Sequence, residues 1–211
     1  MHFNQLTSMQ KDVLREIGNI GAGNAATSLS KLLNKKIDMQ VPAVNIVAFD
    51  EVMDLLGGPE NLIVAIMFRI HGDAPGTVFF ILSMEEAVEL VNEVTGNEIT
   101  LYDDDQVPND LAISALQEIG NILTGSYLSA LSDFTDLDLH PSIPYFGIDM
   151  AGAILTVGLN ELSQVSDYAI IIDTKINKKK HMDGNMGQFF FLPDPEAFSK
   201  LFHALGINGY E

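Results

Sequence analysis

The sequence predicts an α+β fold built by tandem duplication, and three observations carry that reading. DVLREIGNIG, running from Asp12 to Gly21, returns about a hundred residues later as SALQEIGNIL, from Ser114 to Leu123. Each copy opens a stretch with the same succession of hydrophobic periods, helical, then alternating, then helical again. With 211 residues, 47% apolar and 19% charged, the chain has ordinary globular proportions and enough length for a shared core.

The first half opens on Thr7 and Gln10, three residues apart in a capping-box pattern. Met9, Val13, Ile17 and Ile20 follow at helical spacing, which predicts a long helix to about Leu33, closed by Lys35, Lys36 and Asp38. IDMQVPAVNIVAF, from Ile37 to Phe49, alternates and is rich in β-branched residues, with Pro42 suited to a strand edge or bulge. After the Gly57-Gly58-Pro59 break, Leu62–Ile70 and Thr77–Leu82 read as strands joined by HGDAPG, a hairpin signal. Ser83 and Glu86 form another capping box for a helix with Ala87, Leu90, Val91 and Val94 on one side and Gly96 past its end.

The acidic stretch from Tyr102 to Asp110 separates this unit from a second with the same order. A helix is expected from about Asp110 to Leu131, then strands at Pro141–Phe146, Gly152–Leu159, Tyr168–Ile176 and Gln188–Leu192. Asp194-Pro195 caps a last helix with Phe198, Leu201, Phe202 and Leu205, ending at Gly206. Lys178–Lys180 and the Asp183-Gly184 turn beside them read as a solvated loop.

The repeat can be checked directly. A shift of 102 positions lays Leu14 on Leu116, Glu16 on Glu118, Ile17 on Ile119, Gly18 on Gly120, Asn19 on Asn121 and Gly23 on Gly125. It also lays Leu29 on Leu131, Ser30 on Ser132 and Pro42 on Pro144, while GTVFFILSMEEAVELV resembles GQFFFLPDPEAFSKLF at a shift of 111. Two copies favour a pseudo-two-fold unit with one core over an open array. Residues 1–211 are therefore expected to form a single domain of two repeats, about 1–101 and 102–211.

Composition excludes several functions. A net charge of −18 would repel a phosphate backbone, so no nucleic-acid partner is expected. The absence of cysteine removes disulfides, thiolate nucleophiles and thiolate metal sites, and suits a reducing compartment. The N-terminus shows no export signal, and apolar runs such as Leu62–Phe68 are too short for a spanning helix. A soluble, cytoplasmic protein without membrane insertion is expected. Five scattered His residues lack ligand spacing, and GNIGAGN matches neither dinucleotide nor P-loop patterns.

At ~100° per residue, Asp12, Glu16 and Asn19 line one edge of their helix, as Ser114, Glu118 and Asn121 do of theirs. This can be read as the polar edge of an amphipathic helix, with Gly18 and Gly23 thinning it for close packing. Against that, Asn is a poor residue for a helix interior and Gly costs about 1 kcal/mol there relative to Ala, yet both copies keep the pair. A carboxamide can hold a water through one acceptor and two donors, and phosphoryl transfer needs mainly positioning and charge stabilisation.

The pattern of Asp or Ser, three residues, Glu, two residues, Asn, twenty-two residues and Pro resembles the motif of the CheC, CheX and FliY family of chemotaxis phosphatases. It occurs twice, as Asp12, Glu16, Asn19, Pro42 and as Ser114, Glu118, Asn121, Pro144, so the likeness is greatest to the two-motif CheC-like branch. The resemblance implies an antiparallel sheet with the two motif helices side by side. It also implies an aspartyl-phosphate phosphatase acting on phosphorylated CheY at two sites, at opposite ends of the pseudo-dyad. In those terms Asn19 and Asn121 orient water, Glu16 and Glu118 dock a basic residue, and Asp12, Ser114, Pro42 and Pro144 support them. No cofactor of its own is implied, the Mg²⁺ belonging to CheY. The alternative is a non-catalytic binding module that regulates the receptor deamidase CheD, a partner the resemblance also implies; a structural flagellar-switch component is more remote.

Overall fold

Two 26-residue helices, α1 (Ser8–Leu33) and α4 (Asp110–Thr135), pack side by side over one face of an antiparallel sheet. The computed structural model describes residues 8–41, 43–103, 105, 107–161, 168–177 and 187–206. Thr7 of the expected capping box, Pro42, and the Lys178–Lys180 and Asp183-Gly184 loop lie outside the described residues. Asn109 caps α4, its Oδ1 accepting from the N–H groups of Leu111 and Ala112, and the helix runs one turn past the expected Leu131.

The remaining first-half elements are β1 (Asp38–Gln40), β2 (Val44–Ala48), α2 (Phe49–Leu55), β3 (Leu62–Gly72), β4 (Gly76–Ser83) and α3 (Met84–Thr95). The second half continues with β5 (Leu139–Pro141), β6 (Tyr145–Met150), α5 (Ala151–Glu161), β7 (Tyr168–Asp173), β8 (Lys175–Asn177), β9 (Gln188–Pro193) and α6 (Pro195–Ala204). The main sheet runs β2-β7-β9-β4-β3, with β5 and β6 following one another along the outer side of β3, while β1 and β8 form a separate ribbon.

The pairing shows how the halves interlock. β2 of the first half pairs with β7 of the second, and β6 of the second pairs with β3 of the first. At the centre β4 lies against β9 with Phe79 opposite Phe190, the residue that the 111-position shift makes its own counterpart. Thr77 faces Leu192 and Ile81 faces Gln188, so the register is symmetric about that pair. A pseudo-two-fold axis therefore passes between Phe79 and Phe190, and each half completes the other's sheet.

Alternation along the strands feeds two cores. Val64, Ile66, Phe68, Val78, Phe80, Phe189 and Phe191 point towards α1, α3, α4 and α6. Ile63, Ala65, Phe79, Ile81, Phe190 and Leu192 point the other way, towards α2 and α5. The second layer corrects the sequence reading, since Gly152–Leu159 belongs to helix α5 and not to a strand. A short apolar run does not reveal its own period; here Ala151, Ile154 and Leu155 form a helical face that closes the sheet's second side. The same element was missed in the first half, where α2 starts at Phe49, 102 positions before Ala151.

Three expected strands are interrupted. Ile37–Phe49 breaks into β1 and β2 around Val41–Ala43, Pro141–Phe146 breaks into β5 and β6 around Ser142–Pro144, and Tyr168–Ile176 breaks at Thr174. Both capping signals mark real starts, but only Ser83 forms the full box with Glu86, whereas Asp194 makes no capping bond. In the β3–β4 turn, Gly72 has φ +106°, and a Cβ there would lie 2.1 Å from the Asp138 carbonyl oxygen.

Candidate functional site

The two motif faces lie on the sides of α1 and α4 turned away from the sheet. Asp12, Ser114, Glu16, Glu118 and Asn121 are exposed, while Asn19 and Pro144 are half-buried. Arg15 Nη2 lies 2.9 Å from Asp12 Oδ1. Among the described residues Glu16 and Glu118 have no ion-pair partner, and both carboxylates reach the surface. The core line of α1 runs through Leu14, Ile17, Ala22 and Ala25; Ile20, expected in the apolar stripe, is exposed because the helix also turns a side to α4.

Close approach explains three glycines. A Cβ on Gly18 would lie 3.2 Å from Val41 Cγ1, and one on Gly120 would lie 2.8 Å from Ile66 Cγ2 on β3. At Gly21 a Cβ would lie 2.6 Å from Tyr127 Cδ1 and 3.0 Å from Tyr127 Cα, so α1 and α4 are in close contact at this residue. Its counterpart is Leu123, and Tyr127 has Ala25 at its own matching position; the contact is thus asymmetric between the halves. The packing role considered for Gly23 fails, because a Cβ there meets nothing within 4 Å.

The motif's spacing has a structural reason in the first copy. Val41 N–H donates to Asn19 Oδ1 at 3.0 Å, so the Asn is tied to the residue immediately before Pro42. One lone pair is engaged, leaving the second and the amide NH₂ for a water. The second copy is arranged differently. Ile143, the counterpart of Val41, is 88% exposed where Val41 is 2% exposed. The bend before Pro144 is held instead by Ser142, whose N–H donates to the Arg69 carbonyl at 2.8 Å and whose Oγ accepts from Arg69 N–H at 3.0 Å.

Arg69 braces this bend from the sheet. Its Nη1 donates to Asp194 Oδ1 at 2.8 Å and its Nη2 to Asp194 Oδ2 at 2.5 Å, a bidentate pair that explains why Asp194 does not cap α6. Sequence reasoning missed Arg69 and Ser142, although a lone charge in the apolar run LIVAIMFRI was a signal. Beneath the helices, Tyr127 Oη lies 3.0 Å from Thr174 Oγ1, and burial pushes its phenol up to about 12. Asp73, in the β3–β4 turn, accepts from Lys200 Nζ at 2.7 Å and from Asp138 N–H, and both hold its carboxyl below the usual range.

Among the described residues no group of three or more His, Asp or Glu is placed to hold a metal ion, and no helix is long and apolar enough to cross a membrane. Each motif face carries a carboxylate and a carboxamide one turn apart on the outer side of its helix.

Comparison with known proteins agrees with the internal repeat. The CheC-like family model matches residues 9–46 and again residues 111–148, segments that differ by the same 102 positions. The chain is 45% identical over 207 residues to the CheY-P phosphatase CheC of Bacillus subtilis, covering 98% of each. The flagellar motor switch phosphatase FliY of the same organism is 29% identical over 60% of this chain and 32% of its own length. Among solved structures, Thermotoga maritima FliY superposes with a TM-score of 0.73 at 19% identity, covering 97% of this chain and 99% of the other. The FliM middle domain from H. pylori gives 0.64 at 13% identity over 94% and 99%. These two likenesses concern the fold alone.

Proposed function

The chain belongs to the CheC-like family, and from that premise we propose that it is an aspartyl-phosphate phosphatase acting on phosphorylated CheY, with two sites that each use an Asn and a Glu. The observation that carries the reading is the pair of Glu-Asn faces on the outer sides of α1 and α4, exposed at Glu16, Glu118 and Asn121 and half-buried at Asn19, in a chain 45% identical along its length to a CheY-P phosphatase. The fold alone would not carry it.

In this mechanism the helix face enters the regulator's phosphorylation pocket, where Asn19 or Asn121 holds a water in line with the phosphoryl group. Water oxygen bonds to phosphorus, the aspartyl oxygen leaves as carboxylate, and inorganic phosphate and a proton are released. The Mg²⁺ that neutralises the phosphoryl oxygens belongs to the substrate. Glu16 or Glu118 pairs with a basic side chain at the pocket's rim and fixes the orientation. Asp12, Ser114, Pro42 and Pro144 support the faces, and CheD binds as a second partner on a separate surface, a reading supported by the family resemblance. Long-range repulsion from the net charge of −18 is screened over about 8 Å, so local pairing decides docking.

The test is turnover. Added in substoichiometric amount to CheY acyl-phosphorylated in Mg²⁺, the chain should release many equivalents of phosphate per molecule. Release at the spontaneous rate would refute the proposal.

A further inference from the structure

Gly23 and Gly125 stand at matching positions inside the two long helices, and neither packing nor backbone conformation requires glycine at either. A Cβ on either meets nothing within 4 Å, neither has positive φ, and both reach the surface. A helix-interior glycine forfeits helix propensity, so both positions carry a cost that no contact among the described residues repays. Gly18, Gly21 and Gly120, by contrast, each lie under a specific neighbour.

Their location supplies the missing reason. Seven residues beyond Glu16, Gly23 returns to within about 20° of the same helix line, and Gly125 does so beyond Glu118. Asn19 and Asn121 sit between, so each glycine prolongs the Glu-Asn face by about 6 Å past the Asn. A carboxamide is short, and it can reach a recessed phosphoryl group only if the rim around that group descends onto the helix on both sides. On one side Glu meets the rim. On the other there is no side chain at all.

The geometry points to Gly23 and Gly125 as seats for the backbone at the rim of the regulator's phosphorylation pocket, their missing Cβ setting how deeply each Asn enters. The occupant is the phosphorylated regulator, because the bare turn is continuous with the face that must meet the acyl phosphate. This inference rests on the phosphatase reading above.

The two sites are separated by background. Gly23→Ala is made in the Asn121→Ala chain and Gly125→Ala in the Asn19→Ala chain, and each is assayed on acyl-phosphorylated CheY with Mg²⁺. Each glycine substitution should raise KM about tenfold, as one methyl too many does in a tight contact. The same substitution should raise the thermal midpoint by about 2–4 °C, because alanine is the better helix former and nothing obstructs it. A more stable protein that docks worse is the expected signature. An unchanged KM in both backgrounds, or a lowered midpoint, overturns the inference while leaving the phosphatase reading intact. Loss of all hydrolysis in the unmutated chain would instead sink that reading, and this inference with it.

Discussion

Gly21→Ala tests the packing that sets the two motif helices together. The added Cβ would sit 2.6 Å from Tyr127 Cδ1, 3.0 Å from Tyr127 Cα and 3.3 Å from the Ser126 carbonyl oxygen. Ordinary carbon contacts lie at about 3.5–4.0 Å. The ring carbon could swing away, but Cα and the carbonyl are backbone, so α1 and α4 must separate. Tyr127 is also pinned through its hydroxyl to Thr174 and through its ring to Phe189, whose centroid is 4.7 Å away. Overpacking of this kind costs about 1–3 kcal/mol, partly offset by the ~1 kcal/mol that alanine gains in helix propensity. With backbone atoms receiving the new Cβ, the upper half of that range applies, about 2–3 kcal/mol before the offset. The net loss is then about 1–2 kcal/mol, which for a domain of this size lowers the thermal midpoint by about 2–8 °C. Calorimetry or circular dichroism reads it directly. An unchanged or higher midpoint would refute the close crossing at Gly21.

Other outcomes follow from the same geometry. Asn19→Ala should cost about 1–2 kcal/mol in denaturant unfolding, because the Val41 N–H loses its acceptor, whereas Asn121→Ala should be neutral or gain a few tenths; equal effects would contradict the asymmetry of the two sites. Tyr127 has a folded pKa of about 12, above its ordinary value of about 10, so its neutral form stabilises the fold fully below pH 10 and that contribution is lost as pH rises from about 10 towards 12. Unfolding free energies of the wild type and Tyr127→Phe should therefore run parallel below pH 10 and converge above it; parallel curves throughout would contradict the burial of the phenol.

Much of the fold was legible because the chain repeats itself. The long helices, the β3–β4 hairpin, the helix after Ser83 and the α6 start each have a local signal, and the 111-position shift foreshadows the symmetric β4–β9 register. What escaped was the α2 and α5 layer. FDEVMDL is too short for its period to declare itself, and AGAILTVGL is apolar on every side. Comparing the halves would have helped little, since both carry the ambiguous element at the same place.

The candidate site was legible in its residues but not in its supports. Glu16, Asn19, Glu118 and Asn121 stand out through duplication, and the structure puts all four on the outer faces of α1 and α4. The Asn19 bond to Val41, the Ser142 bend and its Arg69 brace depend on chain segments far apart in sequence, which no local spacing encodes. The difference between buried Val41 and exposed Ile143 was equally hidden, because the two residues are chemically alike.

In the proposed mechanism each motif Asn positions the water that cleaves the acyl phosphate. The most direct measurement is loss of phosphate from acyl-phosphorylated CheY in Mg²⁺ with wild type, Asn19→Ala, Asn121→Ala and the double variant. Two independent sites predict that each single variant keeps a share of the activity, while the folded double variant falls to the spontaneous rate. A double variant as fast as the wild type would contradict the claim and make the repeated Glu and Asn part of the architecture.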